Sequence, residues 1–192
     1  KKNTPKSTDP RSANWWQNTP KYTVSLLKAW YGDKATKEND FCYSFIPKVD
    51  DGQDATLLAM FDKMYNKQIK GLVVIGQNPA CSTPNANKVR KAFAELDWMV
   101  HVNIFDNETP SFWKGPGVDS KKIKTEVFLL PAAASMEKEG SMSNSGRWVQ
   151  WKYKAANPPG DALSAGDIVY RIMAKVKEIY KKERGTFPDP IL

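Results

Sequence analysis

The sequence predicts an α/β fold, an open parallel sheet of dinucleotide-binding (Rossmann-like) type with helices on both faces. Three observations carry that expectation. Leu72-Val73-Val74-Ile75 is a short, β-branched, wholly apolar run, the pattern of a strand covered on both sides. Amphipathic stretches at helical spacing stand before and after it. Two more strand-like runs follow, so the order helix, strand, helix, strand, connection, strand is the grammar of β-α-β units.

The elements follow in chain order. Lys1 to Asn14 is polar and without period. Thr19-Pro20 reads as an N-cap followed by proline at the first helical position, with Val24, Leu27, Ala29, Trp30 and Tyr31 behind it and Gly32 as the stop. Asp54 to Lys67 places Leu57, Leu58, Phe61, Met64 and Tyr65 on one helical face. After the Leu72 to Ile75 strand, Asn85 to Leu96 carries the stripe Val89, Ala92, Phe93 and Leu96. Strands are expected near Val100 to Ile104 and Val127 to Leu130, the latter closed by Pro131. Ser164-x-x-Asp167 resembles a capping box and opens a helix to Lys182 with Ile168, Val169, Ile172, Met173, Val176, Ile179 and Tyr180 along it. The organisation expected is an N-terminal extension with a short helix over 1–53, the α/β domain over 54–184, and a Pro-rich extended exit over 185–192. The abrupt ends read as those of a piece of a longer chain.

Composition narrows the function classes. With 192 residues and 41% apolar content the chain can bury one sizeable core. Its 29 basic and 21 acidic residues leave a net charge of +8, which suits a polyanion. The basic residues are spread along the chain, however, and the aromatics do not interleave with Arg and Gly as in RNA-binding sheets, so no nucleic-acid partner is expected. No apolar run approaches the ~20 residues of a membrane helix, so no direct membrane insertion is expected, and Lys1-Lys2-Asn3 leads into no apolar signal region. Cys42 and Cys81 cannot by themselves build a zinc or iron–sulfur site, and nothing in the sequence supports a disulfide between them.

Ligands of open parallel sheets bind beyond the carboxyl ends of the strands. Gly76-Gln77-Asn78-Pro79 leaves the first strand there, and the helix starting near Asn85 offers free N–H groups to an anion. The turn matches no phosphate-binding fingerprint, so a structural turn and a phosphate site stay equally open. Asp106 follows the second strand, where a carboxylate can accept from ribose hydroxyls or a guanine edge, or can simply form an Asx-turn or helix cap. The long segment from Pro131 to Trp151 is Gly- and Ser-rich, either mobile or clamped on something, and its Asn144 and Arg147 are potential donors to an anion. Trp148 and Trp151 read as packing residues. His101, inside an apolar strand with no acid, cysteine or serine partner, reads as a satisfied structural residue, and Cys81 has nothing nearby to activate it. No catalytic residue and no metal ligand is expected in this chain.

These loops also carry a resemblance. GQNPACSTPNANKVRKAF, VHVNIFDNETPSFW and EKEGSMSNSGRWVQW together resemble the alpha (catalytic) subunit of the molybdenum- or tungsten-dependent formate dehydrogenases, in the bis-molybdopterin guanine dinucleotide oxidoreductase superfamily; ANWWQNTPKY and LLKAWYGD fit the same subunit. The resemblance implies that residues 54–184 form a cofactor-binding domain holding one arm of molybdopterin guanine dinucleotide with Mo or W. It suggests Gly76, Gln77, Asn78, Asp106, Thr109, Glu139, Gly140, Asn144 and Arg147 as the lining. It further implies formate as substrate of the whole enzyme, a [4Fe-4S] cluster elsewhere in the subunit, the remainder of the alpha subunit and an iron–sulfur beta subunit as partners, and a periplasmic location. This chain departs from the family pattern in having no cysteine cluster, no Cys-His or selenocysteine-His pair, since Ser82 follows Cys81, and no β-barrel after Leu192. Formate oxidation is therefore not expected of it alone. The competing expectation is a free-standing nucleotide- or phosphate-binding module without redox chemistry.

Overall fold

The computed structural model describes residues 15–46, 54–146 and 148–184. The expected exit segment at 185–192, the polar start at 1–14 and Arg147 lie outside the described residues. The chain divides into two compact units, one built from residues up to Asp51 together with those from Val176 onward, the other from Gly52 to Lys175.

The first unit is organised by α1 (Trp15–Tyr31) and two short 3-10 turns, Gly32–Lys34 and Asp40–Phe45. Thr19-Pro20 is not the helix start: α1 begins at Trp15 and Pro20 lies inside it. At the sixth helical position Pro20 forgoes one i→i−4 bond and its ring crowds the carbonyl four residues back, a cost the helix carries, so the dipeptide marks a helix without marking its end. Gly32, at φ +55, stops the helix as expected. Beyond it, Asp40, Phe41 and Cys42 all hold positive φ. The Asn39 side chain stabilises this costly backbone by accepting from the amides of Thr36 and Cys42 and donating to the Lys34 carbonyl at 2.7 Å.

The second unit contains the sheet. In order come α2 (Leu57–Tyr65), β1 (Gly71–Ile75), the single turn α3 (Pro79–Ser82), α4 (Ala86–Phe93), β2 (Trp98–Asn103), β3 (Glu126–Pro131), β4 (Gly140–Ser143) and β5 (Val149–Lys152). The last helix, α5 (Ala165–Glu183), starts in this unit and ends in the other. α2 and α4 begin later than the expected Asp54 and Asn85, because the residues just before them are caps. Thr56 Oγ1 accepts from the Ala59 amide, and Asn85, in the left-handed region at φ +59, accepts from the Lys88 amide. Ser164 accepts from the Asp167 amide and donates to its carboxylate, the capping arrangement expected ahead of α5.

β1, β2 and β3 form a parallel sheet in that order, with Val73 beside Val100 and Val100 beside Phe128. The α/β parallel architecture is thus as the sequence predicts. One face carries the core: Met99 with Leu72 and Val127 beneath Phe61, Met64, Val89, Ala92, Phe93 and Phe112. Phe93 stands edge-on to both Phe61, at 5.9 Å, and Phe112, at 5.7 Å. The buried Thr125 hydroxyl sits between the carbonyls of Phe93 and Leu96, at 2.7 and 2.9 Å, tying the entry of β3 to the end of α4. On β1, at the edge of the sheet, Val74 is buried while Val73 and Ile75 are exposed.

Phe93→Ala removes the ring at the centre of this aromatic triplet, and a loss of about 3–5 kcal/mol in unfolding free energy is expected for such a truncation, read from urea denaturation.

Candidate functional site

The turn after β1 and the loop after β2 are joined by a polar network. Gly76, at φ +67, continues the ladder by donating to the Val102 carbonyl and then redirects the chain. Asn78, ahead of α3, reaches across to the second loop with both ends of its amide. Its nitrogen donates to Glu108 Oε2 at 2.6 Å, and its Oδ1 accepts from the Thr109 hydroxyl at 2.8 Å. Thr109 is fully buried, accepts from the Ala80 amide at 3.1 Å, and has its own amide held by Asn107 Oδ1 at 3.0 Å. Four hydrogen bonds join these polar groups to one another, which fixes the geometry of both loops. Hydrogen bonding by the Asn78 amide, and then by its own backbone and Cys81, holds the Glu108 carboxyl below the usual carboxylate range; the Arg90 cation adds to this.

Beside the network lies a cavity of about 440 Å³ lined by Arg90, Asp106, Asn107, Glu108, Ser111 and Lys114, among others. Its two cations and two carboxylates face a space large enough for a ring and a phosphate. Asp106 lies on its wall, half-exposed, accepting from the Ser111 hydroxyl at 2.9 Å and facing Lys114 Nζ at 3.6 Å. The local hydroxyl contact is the structural role open to such an aspartate, yet a carboxylate has about four lone-pair sites and keeps capacity for a ligand. A second cavity of about 460 Å³, lined by Asn87, Lys91 and Gly117 among others, shares Arg90 and Phe112 with the first. Arg90 therefore faces both.

Among the sequence-predicted lining residues, the structure joins Asn78 to Thr109 directly and sets Asp106 on the neighbouring cavity wall. Gly76 and Gln77 shape the turn; the Gln77 carbonyl lies 3.1 Å from His101 Nε2. Glu139, Gly140 and Asn144 belong to an antiparallel hairpin of β4 and β5, a regular element inside what reads in the sequence as a long polar loop. Its base is held where Glu137 accepts from the Ala134 amide at 2.7 Å and Lys152 donates to the Ser135 carbonyl. Asn144 accepts from the Trp148 amide. Trp148 and Trp151 are exposed among the described residues, and Trp151 meets Tyr153 edge-on at 6.4 Å. Among the described residues no hydrogen bond joins the hairpin to the Asn78–Thr109 pair. Arg90, Asn107, Glu108, Ser111 and Lys114 were not legible as site residues, because charged and polar side chains on a short helix and a loop carry no periodic signal distinguishing them from a solvated surface.

His101 is fully buried, and only half satisfied. The Gln77 carbonyl accepts, so the proton of the neutral ring sits on Nε2, and Nδ1 has no partner among the described residues. Burial pushes its pKa down, against the opposing influence of the Gln77 carbonyl and the Asp106 carboxylate. Among the described residues no group of His, Cys, Asp and Glu side chains forms a metal site. Both cysteines are free, Cys42 buried and Cys81 exposed with Arg90 3.9 Å from its sulfur. No described helix is long and apolar enough to cross a membrane.

The chain is 51% identical over its full 192 residues to the formate dehydrogenase 2 subunit alpha (cytochrome c-553) of Nitratidesulfovibrio vulgaris. It is also 51% identical over 191 residues to the formate dehydrogenase subunit alpha of Megalodesulfovibrio gigas. The chain is a segment of the formate dehydrogenase alpha-subunit family. The formate dehydrogenase-O major subunit of Escherichia coli is 41% identical over 194 residues, covering 99% of this chain. In all three cases the chain spans 19% of the relative's length. No family model matches it.

Two outcomes follow for this segment of the family. Thr109→Val strips the Ala80 amide and the Asn78 side chain of their partner, and destabilisation of about 1–3 kcal/mol is expected, with the urea midpoint as readout. Because the folded-state pKa of His101 is depressed, the unfolded chain binds the extra proton first. The stability this residue contributes is present above its ordinary value of 6.5 and is lost as pH falls below it. Urea midpoints at pH 7.5 and 5.5 should therefore fall further in the parent protein than in His101→Gln.

Proposed function

We propose that this chain is the part of a formate dehydrogenase alpha subunit that holds one guanine dinucleotide arm of its molybdenum- or tungsten-bearing pterin cofactor. The observation that carries the reading is the cavity at the carboxyl end of β2, where Arg90 and Lys114 face Asp106 and Glu108, in a segment of this family. The donor set suits such a group. Asp106 can accept from ribose hydroxyls or the paired N–H groups of guanine, and Arg90 and Lys114 can donate to pyrophosphate. Asn78 and Thr109 act one step back, holding the two loops at the spacing the ligand requires. The family resemblance adds to this lining Gly76 and Gln77 from the turn after β1 and Glu139, Gly140, Asn144 and Arg147 from the sequence after β3. When bound, the cofactor supplies the metal at which formate is oxidised.

In the full subunit the reaction takes formate to carbon dioxide, with two electrons and a proton leaving the substrate. The electrons pass to iron–sulfur clusters, a [4Fe-4S] cluster of the alpha subunit and those of an iron–sulfur beta subunit, in an enzyme placed in the periplasm. The 192 residues here contribute binding rather than chemistry and by themselves do not oxidise formate. The N. vulgaris relative, whose name carries cytochrome c-553, offers a precedent for the acceptor.

The test measures metal and guanine per protein in the full-length subunit. Asp106→Ala and Arg147→Ala are expected to lower both, with a penalty of roughly 1–3 kcal/mol in retention for each lost partner, whereas His101→Gln should shift stability and leave cofactor content near normal. Full occupancy in both site variants together with loss in His101→Gln would place the site elsewhere. Nucleotide without metal in the parent protein would favour a nucleotide-binding module without redox chemistry.

A further inference from the structure

The second of the two cavities that meet at Arg90 differs from the first in charge. It measures about 460 Å³ and lies between α4 and the connection from β2 to β3. Asn87, Arg90 and Lys91 enter it from α4 at i, i+3 and i+4, so they share one face of the helix, while Val89, Ala92 and Phe93 turn to the core. The other wall is the β2–β3 connection, folded into 3-10 turns at Phe112–Lys114 and Ser120–Lys122, with the Val118 amide donating to the Gly115 carbonyl between them. This wall presents Phe112, Val118 and Ile123. No acidic residue lines the cavity, whereas the first sets Asp106 and Glu108 against its cations. Neither the Asn87 amide nor the Lys91 ammonium has a hydrogen-bond or ion-pair partner among the described residues. Cations in the last turn of a helix are favoured by its dipole, but that preference does not require an apolar recess beside them. A recess of this size, with apolar walls and a few convergent polar groups, has the form of a small-molecule site.

We infer that this second cavity binds a small aromatic carboxylate. The planar fork of Arg90 matches the two oxygens of a carboxylate, Lys91 adds a point charge, and the Asn87 amide is a further donor on the same helical face. The ring lies against Phe112, Val118 and Ile123, where it leaves water for an apolar wall. The absence of acidic groups from the lining selects an anion over a zwitterion or a cation. Asn87 and Lys91 belong to the second cavity and not to the first, so the inference does not rest on the reading of the first as a cofactor site.

The test titrates the full-length subunit with indole-3-acetate, 3-methylindole and acetate by isothermal calorimetry. Indole-3-acetate is expected to bind, and loss of either its charge or its ring should weaken binding about 10-fold or more. Lys91→Met removes the charge at nearly constant side-chain length, and Val118→Asp puts a carboxylate on the apolar wall. Each should weaken indole-3-acetate to a similar degree, whereas Lys91→Arg and the exposed Lys21→Glu on α1 should bind as the parent does. Asn87→Ala, at an exposed helical position, should also weaken binding and covers the case in which another variant fails to fold. No binding by the parent would overturn the inference. So would equal binding of 3-methylindole or acetate, or undiminished binding in Lys91→Met and Val118→Asp. Metal and guanine per protein are measured in the same preparations and should match the parent in Lys91→Met; loss of guanine there would put Lys91 in the first site and overturn the inference. Failure of the cofactor reading is seen separately, in Asp106→Ala and Arg147→Ala.

Discussion

Because β1, β2 and β3 run parallel, each must be joined to the next by a crossover, and every loop that follows a strand leaves at the same edge. That constraint positions everything else of interest in the second unit. It brings Asn78, after β1, within 2.8 Å of Thr109, after β2, although the two are 31 positions apart. It also turns Asp106 and Arg90, from a loop and a helix, toward one cavity. An antiparallel pairing of β1 with β2 would send those loops to opposite ends and leave the Asn78 amide and the buried Thr109 hydroxyl without each other.

Two kinds of interaction hold the arrangement, and they have different consequences. Beneath the sheet, Met99, Phe93 and their neighbours are packed by apolar burial, which is insensitive to pH and tolerant of small shape changes. At the edge, the Asn78–Thr109–Glu108 network and the His101–Gln77 contact are directional, and the loss of one partner strands another. The loops are therefore held more exactly than apolar packing alone would hold them, as a polar ligand site requires. The buried Nδ1 of His101 stands out as a polar atom left without a partner, a local cost carried by the same edge.

Among the described residues, exposed large apolar side chains lie on regular elements, as at Val169 and Ile172 of α5, and in loops, as at Phe105 and Tyr153. Such surface is what a segment of a larger subunit would be expected to carry, and the full-chain match to relatives of about five times its length is in keeping with it.

Much of the architecture is local and so legible without coordinates. The β-branched run at Leu72–Ile75 and the stripe through Phe61 and Met64 or Val89 and Phe93 predict strand and helices because side-chain period is a property of neighbouring residues. The same holds for Gly32 as a stop and Ser164 as a cap. Where the local signal is ambiguous the reading shifts, as at Pro20, whose fixed φ is compatible with more than one position in a helix, and at the β4–β5 hairpin, whose short polar strands have no strong period. The candidate site was partly legible. Asn78, Thr109 and Asp106 stand at loop positions that a parallel sheet makes functional, whereas Arg90, Ser111 and Lys114 join them only through space. Whether a strand's second face is covered is likewise decided by elements distant in sequence. Val73 and Val74 are identical residues adjacent in the chain, yet one is exposed and the other buried, because the pleat turns them to opposite faces and Val74 shares its face with Leu72, which packs against the core.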